Sequence, residues 1–145
     1  MKVFCDTNVL VAAFLQSHPH HNSARPVIER IKAGYDQGYI AAHSLAETYA
    51  VLTRLPGCHQ VPGAMAWQLI TDNILRDFTL VSLSSKEYTE AVGKAAKNGV
   101  EGGKTYDALL LAAAAKSGAE RIYTTNVRHF QSLADDPLRL RIVAP

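Results

Sequence analysis

Short apolar runs alternate with segments of helical periodicity along the whole chain, and no internal repeat or low-complexity tract interrupts them. The apolar runs predict five strands, at positions 2–5, 38–42, 78–83, 121–124 and 139–143. Apolar residues that recur every three or four positions predict helices at 9–14, 24–33, 44–52, 62–75, 84–98, 105–116 and 127–133. Pro26 is expected in the first turn of its helix, where proline is tolerated.

Strands separated by helices predict a parallel sheet, because parallel strands need long crossover connections. We therefore expect residues 1–145 to form one α/β domain with three layers, in which helices cover both faces of a central, mainly parallel five-stranded sheet. In such sheets ligands bind outside the carboxyl ends of the strands, where the winding reverses. The polar residues directly after each strand are therefore the first candidates for function.

The composition excludes several classes of protein. The chain has 145 residues, of which 48% are hydrophobic and 19% charged, and this suits one globular domain with its own core. Cys5 and Cys58 have no metal-ligand spacing, which argues against a disulfide scaffold or a zinc ribbon and fits a cytoplasmic protein. No apolar run approaches the ~20 residues that span a bilayer. The net charge of +2 permits a nucleic-acid partner without demonstrating one.

Two carboxylates follow the first two predicted strands. Asp6 comes directly after the first strand, at the rim where ligands bind, although an N-cap of the next helix is an equally good interpretation. Glu47 stands three residues after Ser44, so a capping box explains it at least as well as a functional role. Each residue alone leaves its role open.

A third carboxylate and an oxygen-rich turn lie further along the chain. Asp107 opens a helix that is otherwise apolar, and Thr105 could cap that helix without it. A charge at the rim of so apolar a helix needs a cationic partner. Thr124 and Asn126 follow the fourth strand, and their side chains suit hydrogen bonds to a carboxylate or a phosphate; Thr125 between them is explained by turn chemistry.

The combination of these residues is more informative than each one. Asp6, Glu47 and Asp107 would converge on one cleft, where carboxylates about 4 Å apart repel by ~1–4 kcal/mol per pair. Such a cluster requires a cation or protonated carboxyls. Oxygen ligands without His or Cys favour Mg²⁺ or Mn²⁺. The chemistry implied is metal-assisted hydrolysis of a phosphodiester, with water as the nucleophile.

The same residues resemble the acidic motifs of the PIN domain. The segments that carry the resemblance are Asp6-Thr7-Asn8, Ser44-Leu45-Ala46-Glu47, Tyr106-Asp107-Ala108 and Thr124-Thr125-Asn126 followed by Phe130. Within that family the chain resembles the VapC-type ribonuclease toxins of toxin–antitoxin pairs, and the likeness covers nearly the whole chain. The match depends on the order, spacing and strand-end placement of these short motifs.

The resemblance implies an endoribonuclease that cleaves RNA with Mg²⁺ or Mn²⁺, a homodimer, and a cognate antitoxin protein as partner. By resemblance, Asp6, Glu47 and Asp107 are the metal-binding acids, and Thr124 orients a neighbouring acid or water. Asn126 occupies the position of a fourth acid that many members have as Asp. This departure removes one negative charge and weakens the case for a second metal.

Two other functions remain open at this point. In aspartyl-phosphate phosphatases of similar topology the strand-end Asp is the nucleophile, but the acid expected two residues later is Asn8 here. The second is a degenerate domain that binds RNA or a protein partner without cutting. This hypothesis is motivated by Asn126, which stands in the position of the fourth acid.

Further interpretations concern residues outside the acidic motifs. Lys94, Lys97 and Lys104 flank the glycine-rich segment 99–103, which is the best candidate for a lid that contacts substrate. Trp67 and Phe78 are expected in the core.

Overall fold

The computed structural model describes all 145 residues. The strands are β1 (Lys2–Cys5), β2 (Gln37–Ala41), β3 (Phe78–Val81), β4 (Arg121–Tyr123) and β5 (Ile142–Val143). The helices are α1 (Thr7–Phe14), α2 (His21–Lys32), α3 (Ala42–Thr53), α4 (Gly63–Ile70), α5 (Ser85–Lys97), α6 (Lys104–Ser117), α7 (Val127–Leu133) and α8 (Asp136–Arg139). A 3₁₀ turn occupies Gly57–His59, and a π-helical turn extends α4 over Thr71–Leu75.

The five strands form one parallel sheet in the order β3-β2-β1-β4-β5, which confirms the predicted architecture. The chain builds outward from β1 through β2 to β3, then returns to the other side of β1 for β4 and β5. The winding therefore reverses between β1 and β4, and the carboxyl ends of β2, β1 and β4 share one edge of the sheet.

The core lies on both faces of the sheet. Along β1, Val3 and Cys5 belong to a cluster with buried residues of α1 and α2, whereas Phe4 between them belongs to a second cluster with α6 and α7. This alternation is the period of two of a strand. The helices therefore form two layers with the sheet between them, and none of them is both long and apolar enough to cross a membrane.

The local signals at the starts of two helices were misread from the sequence. Because α3 begins at Ala42, directly after β2, Ser44 is buried inside the helix and does not form the expected capping box with Glu47. Gly103, and not Thr105, is the N-cap residue of α6. By contrast, Ser84 does form a capping box at the start of α5, where its side chain accepts a hydrogen bond from the backbone N–H of the residue three positions on.

Two further segments differ from the prediction. The fifth strand is only two residues long, because α8 occupies Asp136–Arg139. A proline stands in the first turn of α8, where its missing N–H costs no hydrogen bond. Helix α2 begins at His21, through a polar and exposed first turn, so Pro26 is its sixth residue and not part of its first turn.

The expectation for two aromatic residues was half right. Phe78 is buried, but Trp67 is 50% exposed, because the buried face of α4 consists of Ala66 and Ile70.

Close packing at Gly38 of β2 gives a test of this fold. An added Cβ there would lie 2.7 Å from both Ile31 and Phe78 side chains, whereas an added Cβ at Gly93, inside α5, meets nothing within 4 Å. We expect Gly38→Ala to lower the free energy of unfolding by about 1–3 kcal/mol through overpacking. Gly93→Ala should raise it by about 0.5–1 kcal/mol, since alanine favours helix. Urea denaturation measures both, and equal effects would contradict the packing described for β2.

Candidate active site

Asp6 lies at the carboxyl end of β1, where the winding of the sheet reverses. Its side chain is buried, with 2% of the residue exposed. Its backbone N–H donates to the carbonyl of Tyr123 at 2.9 Å, which extends the pairing of β1 with β4 by one residue. Thr124, the first residue after β4, donates its hydroxyl to Asp6 Oδ2 at 2.9 Å. The ends of two adjacent strands thus fix one carboxylate.

The environment of Asp6 disfavours its charge. The pKa of Asp6 is raised to about 6, chiefly by burial and also by the carboxylates of Asp107 and Glu47, whereas hydrogen bonds from the Thr124 hydroxyl and the Asn8 backbone lower it. Asp107 and Glu47 are therefore both within electrostatic reach of Asp6. The assignment of these three acids to one metal-binding cleft stays a prediction.

Glu47 is held through the first residue of α1. Thr7 Oγ1 lies 2.9 Å from Glu47 Oε2 and 3.0 Å from Ser44 Oγ. Because a carboxylate only accepts, the single Thr7 proton is donated to Glu47, and the Ser44 hydroxyl can donate to Thr7 in turn. Thr7 and Ser44 are both buried, at 2% and 0% exposure, so this bridge joins α1 to α3 beneath the carboxylate.

Asp107 is held from the opposite side by α7. His129 Nε2 lies 2.8 Å from Asp107 Oδ2, with both side chains partly exposed. Since the carboxylate can only accept, the ring nitrogen that faces it carries the proton. Asp107 stands in the first turn of α6, where the helix dipole also favours a negative charge.

The Asn126 side chain is not held by a hydrogen bond to the site, in contrast to the three acids. The Asn126 backbone N–H donates to Thr124 Oγ1 at 3.1 Å, and the exposed side chain does not cap α7. The structure therefore connects Asn126 to the site through the Thr124 hydroxyl, and no hydrogen bond joins its side chain to the acids.

The carboxylate oxygens of this cleft are of the type that binds a hard divalent cation, but the side chains are not close enough together to bind one at the same time. The three carboxylates supply oxygen ligands only, as Mg²⁺ and Mn²⁺ prefer. Asp6 forms no ion pair with a lysine or an arginine, and the neighbouring charges that act on its pKa are those of Asp107 and Glu47. However, no group of three or more His, Cys, Asp or Glu side chains lies close enough together to hold a metal ion at once. The residues therefore suit such a cation by the type and charge of their donor atoms, and not by their present spacing.

Three residues of the site are not among the functional residues predicted from the sequence. Thr7 and Ser44 stand inside the motifs, where the Ser-x-x-Glu spacing also suits a helix cap. The position of His129, on the helix that directly follows Thr124 and Asn126, is the one feature of the sequence that points to it. Lys94, which precedes the expected lid, forms an ion pair with Asp135, the N-cap residue of α8.

Comparisons with known proteins agree with this geometry. Residues 3–136 match the family model of the PIN domain. Ribonuclease VapC40 of Mycobacterium tuberculosis is 32% identical over 123 residues, which cover 85% of this chain and 85% of that protein. Ribonuclease VapC27 of the same organism is 30% identical over 115 residues, which cover 79% of this chain and 78% of that protein.

Two solved structures share the fold. VapBC2 from Rickettsia felis, bound to a DNA fragment from their promoter, aligns over 99% of this chain and 98% of its own, with a TM-score of 0.68 and 20% identity. Mycobacterium tuberculosis VapC20, a Sarcin-Ricin loop cleaving toxin, aligns over 83% and 86%, with a TM-score of 0.63 and 17% identity. Because the family model covers most of the chain and VapC relatives reach 30% identity or more, the chain belongs to the PIN domain family and, within it, to the VapC-type proteins.

Proposed function

We propose that this protein is a metal-dependent endoribonuclease that hydrolyses phosphodiester bonds of RNA. The observation that carries the proposal is the buried carboxylate of Asp6 at the switch point of the sheet, within electrostatic reach of Glu47 and Asp107. Relatives that are named ribonucleases support the choice of RNA as substrate.

The residues of the chain have separable roles in this proposal. Asp6, Glu47 and Asp107 would hold the cation, which supplies positive charge where the phosphodiester develops negative charge. Each acid receives a hydrogen bond from a side chain, Thr124, Thr7 and His129 respectively, which fixes its orientation and leaves lone pairs free for binding. Asn126 contributes through its backbone, which donates to the Thr124 hydroxyl.

The biological setting is also part of the proposal. We infer that the protein is the toxin of a type II toxin–antitoxin pair, that a cognate antitoxin protein binds it, and that it acts as a cytoplasmic homodimer. The likeness to VapC relatives and to VapBC2 supports the toxin and the antitoxin. Purification with its genetic neighbour, followed by measurement of the mass of the complex in solution, tests the partner and the dimer together.

The alternative function is a PIN domain that binds RNA or a protein partner without cleavage. The observation that favours it is Asn126, which replaces a fourth acid by a neutral side chain. RNA retention with Mn²⁺ binding and no cleavage would select this alternative. The phosphatase hypothesis is not retained, because the residue in the position of its general acid is the exposed Asn8.

Removing one acid should abolish most cleavage. We expect Asp6→Asn and Asp107→Asn each to slow cleavage of single-stranded RNA on the order of 100-fold or more. Each variant removes a negative charge that would hold the cation, and the cation is what stabilises the negative charge developing on the phosphate. Glu29→Gln, an exposed acid on α2, is the matched control and should cleave normally. The assignment is wrong if either site variant keeps the parental rate at saturating Mg²⁺.

The Thr7 bridge should affect both stability and activity. Thr7→Val keeps the shape of the side chain but leaves Ser44 and Glu47 without their partner, so the free energy of unfolding should fall by about 1–3 kcal/mol. The variant should also need more Mn²⁺ for half-maximal cleavage. Thr53→Val is the control, because the Thr53 hydroxyl bonds only to carbonyls of its own helix. Urea denaturation and a Mn²⁺ titration of the rate provide the measurements.

The contact between His129 and Asp107 predicts a role in metal affinity. We expect His129→Ala to weaken Mn²⁺ binding by roughly 10–100-fold, since outer partners of ligating carboxylates fix their orientation. His59→Ala, an exposed histidine in the 3₁₀ turn, should bind Mn²⁺ as the parent does. Calorimetry without RNA measures the affinity directly, and an unchanged value for His129→Ala would exclude this role.

A further inference from the structure

A small recess lies beside the acids, at the carboxyl ends of β2 and β3. Its volume is about 250 Å³, and six of its eight lining residues are hydrophobic. This volume is just below the ~300–1,000 Å³ typical of sites for drug-sized ligands, so the recess suits a single ring system. The side chains that could give it specificity are His43, Ser82 and Tyr88.

His43 is the unusual member of this lining. Its Nε2 atom is buried and makes no hydrogen bond within the chain, although an unpaired buried polar atom costs about 1–3 kcal/mol. Burial lowers the pKa of His43, and the carboxylates of Glu47 and Asp107 act in the opposite direction. His43 also precedes Glu47 by four residues in α3, so both side chains lie on one face of the same helix. The His43 ring therefore lies within electrostatic reach of the proposed cleavage site.

The other polar groups give the recess an aromatic wall and a fixed rim. Tyr88, on α5, has 39% of its surface exposed, so a ring that enters the recess can contact it. The carbonyl of Ser82 accepts a hydrogen bond from Lys116 Nζ at 2.8 Å, and the same ammonium group lies 2.7 Å from Glu87 Oε2. Lys116 is thus engaged at the rim, and the lining itself contains no lysine or arginine.

We propose that this recess binds one base of the RNA next to the scissile phosphate, with His43 Nε2 bonded to the base edge and the Tyr88 ring against the base face. The proposal extends the ribonuclease function and rests on it for the choice of RNA. A base fits better than a phosphate, because the lining contains no lysine or arginine and offers an aromatic ring and small apolar side chains to the face of a base. Proteins read single-stranded RNA by this combination of an aromatic surface and hydrogen bonds to base edges.

Nucleotide binding tests the recess without any cleavage. The probes are the four ribonucleoside 5′-monophosphates, each titrated into the protein while the His43 and Tyr88 side-chain signals are followed by NMR. We expect at least one nucleotide to move both signals saturably, while inorganic phosphate at the same concentration leaves them in place. Failure of all four nucleotides, or equal shifts with phosphate alone, would overturn the proposal.

Substitutions then connect the binding to the named side chains. His43→Phe keeps the bulk of the ring but removes the orphaned nitrogen, and it should weaken binding of the preferred nucleotide about tenfold. Tyr88→Ala should weaken it comparably by removing the aromatic wall. His59→Phe is the matched control and should bind as the parent does. Unchanged affinity in His43→Phe, with its fold verified by circular dichroism, contradicts the assigned contact.

Cleavage separates a failure of this proposal from a failure of the ribonuclease assignment. Four single-stranded RNAs that differ in one base beside the cleaved bond should be cut at different rates by the parent and at similar rates by His43→Phe. Asp107→Asn should slow cleavage of all four RNAs on the order of 100-fold or more. Retained base preference in His43→Phe overturns the recess alone. Absence of cleavage by the parent, with normal nucleotide binding, overturns only the catalytic assignment.

Discussion

The site depends on one constraint, which is the burial of the Asp6 carboxylate at the end of the central strand. Burial is the largest of the causes that raise its pKa to about 6, and the hydrogen bonds from the Thr124 hydroxyl and the Asn8 backbone offset it only in part. The other two acids oppose its charge further, although both stand on helices that could have turned them to solvent. Packing of these helices against the sheet thus holds negative charges near one another at a cost in stability. A cation bound there would offset these charges, and this is why the proposed function includes one.

The partners of the acids are consistent with this purpose. Thr124, Thr7 and His129 each donate one hydrogen bond to a carboxylate, and none of them is a lysine or an arginine. A fixed cationic side chain would satisfy the carboxylates electrostatically and would also compete with a divalent ion for them. Hydroxyl and imidazole donors orient the oxygens without placing a lysine or an arginine among them. The same reasoning explains why the donor set fits a metal although the acids are not gathered into a finished cluster.

The sequence predicts the parallel sheet and the strand-end position of Asp6 well, because both follow from short apolar runs and from where they stop. It predicts less about Glu47, since the Ser-x-x-Glu spacing has the same form whether the serine caps a helix or lies inside it. The structure decides this by starting α3 directly after β2, which buries Ser44 against Thr7. The contacts that orient Glu47 and Asp107 join residues 40 and 22 positions apart, and no local pattern encodes such pairs.

The early start of α3 also determines how chemistry and recognition are coupled. Since the helix begins at Ala42, His43 and Glu47 stand one turn apart on a rigid element, and Thr7 anchors that element to the end of β1. A base held at His43 would therefore be fixed relative to the carboxylate of Glu47 by helix geometry, not by a flexible loop. One turn of helix spans about 5.4 Å, a distance comparable to the reach between a base and the phosphate of a neighbouring nucleotide. If α3 began three residues later, Ser44 would be its N-cap residue, and its hydroxyl would no longer face Thr7 from inside the helix.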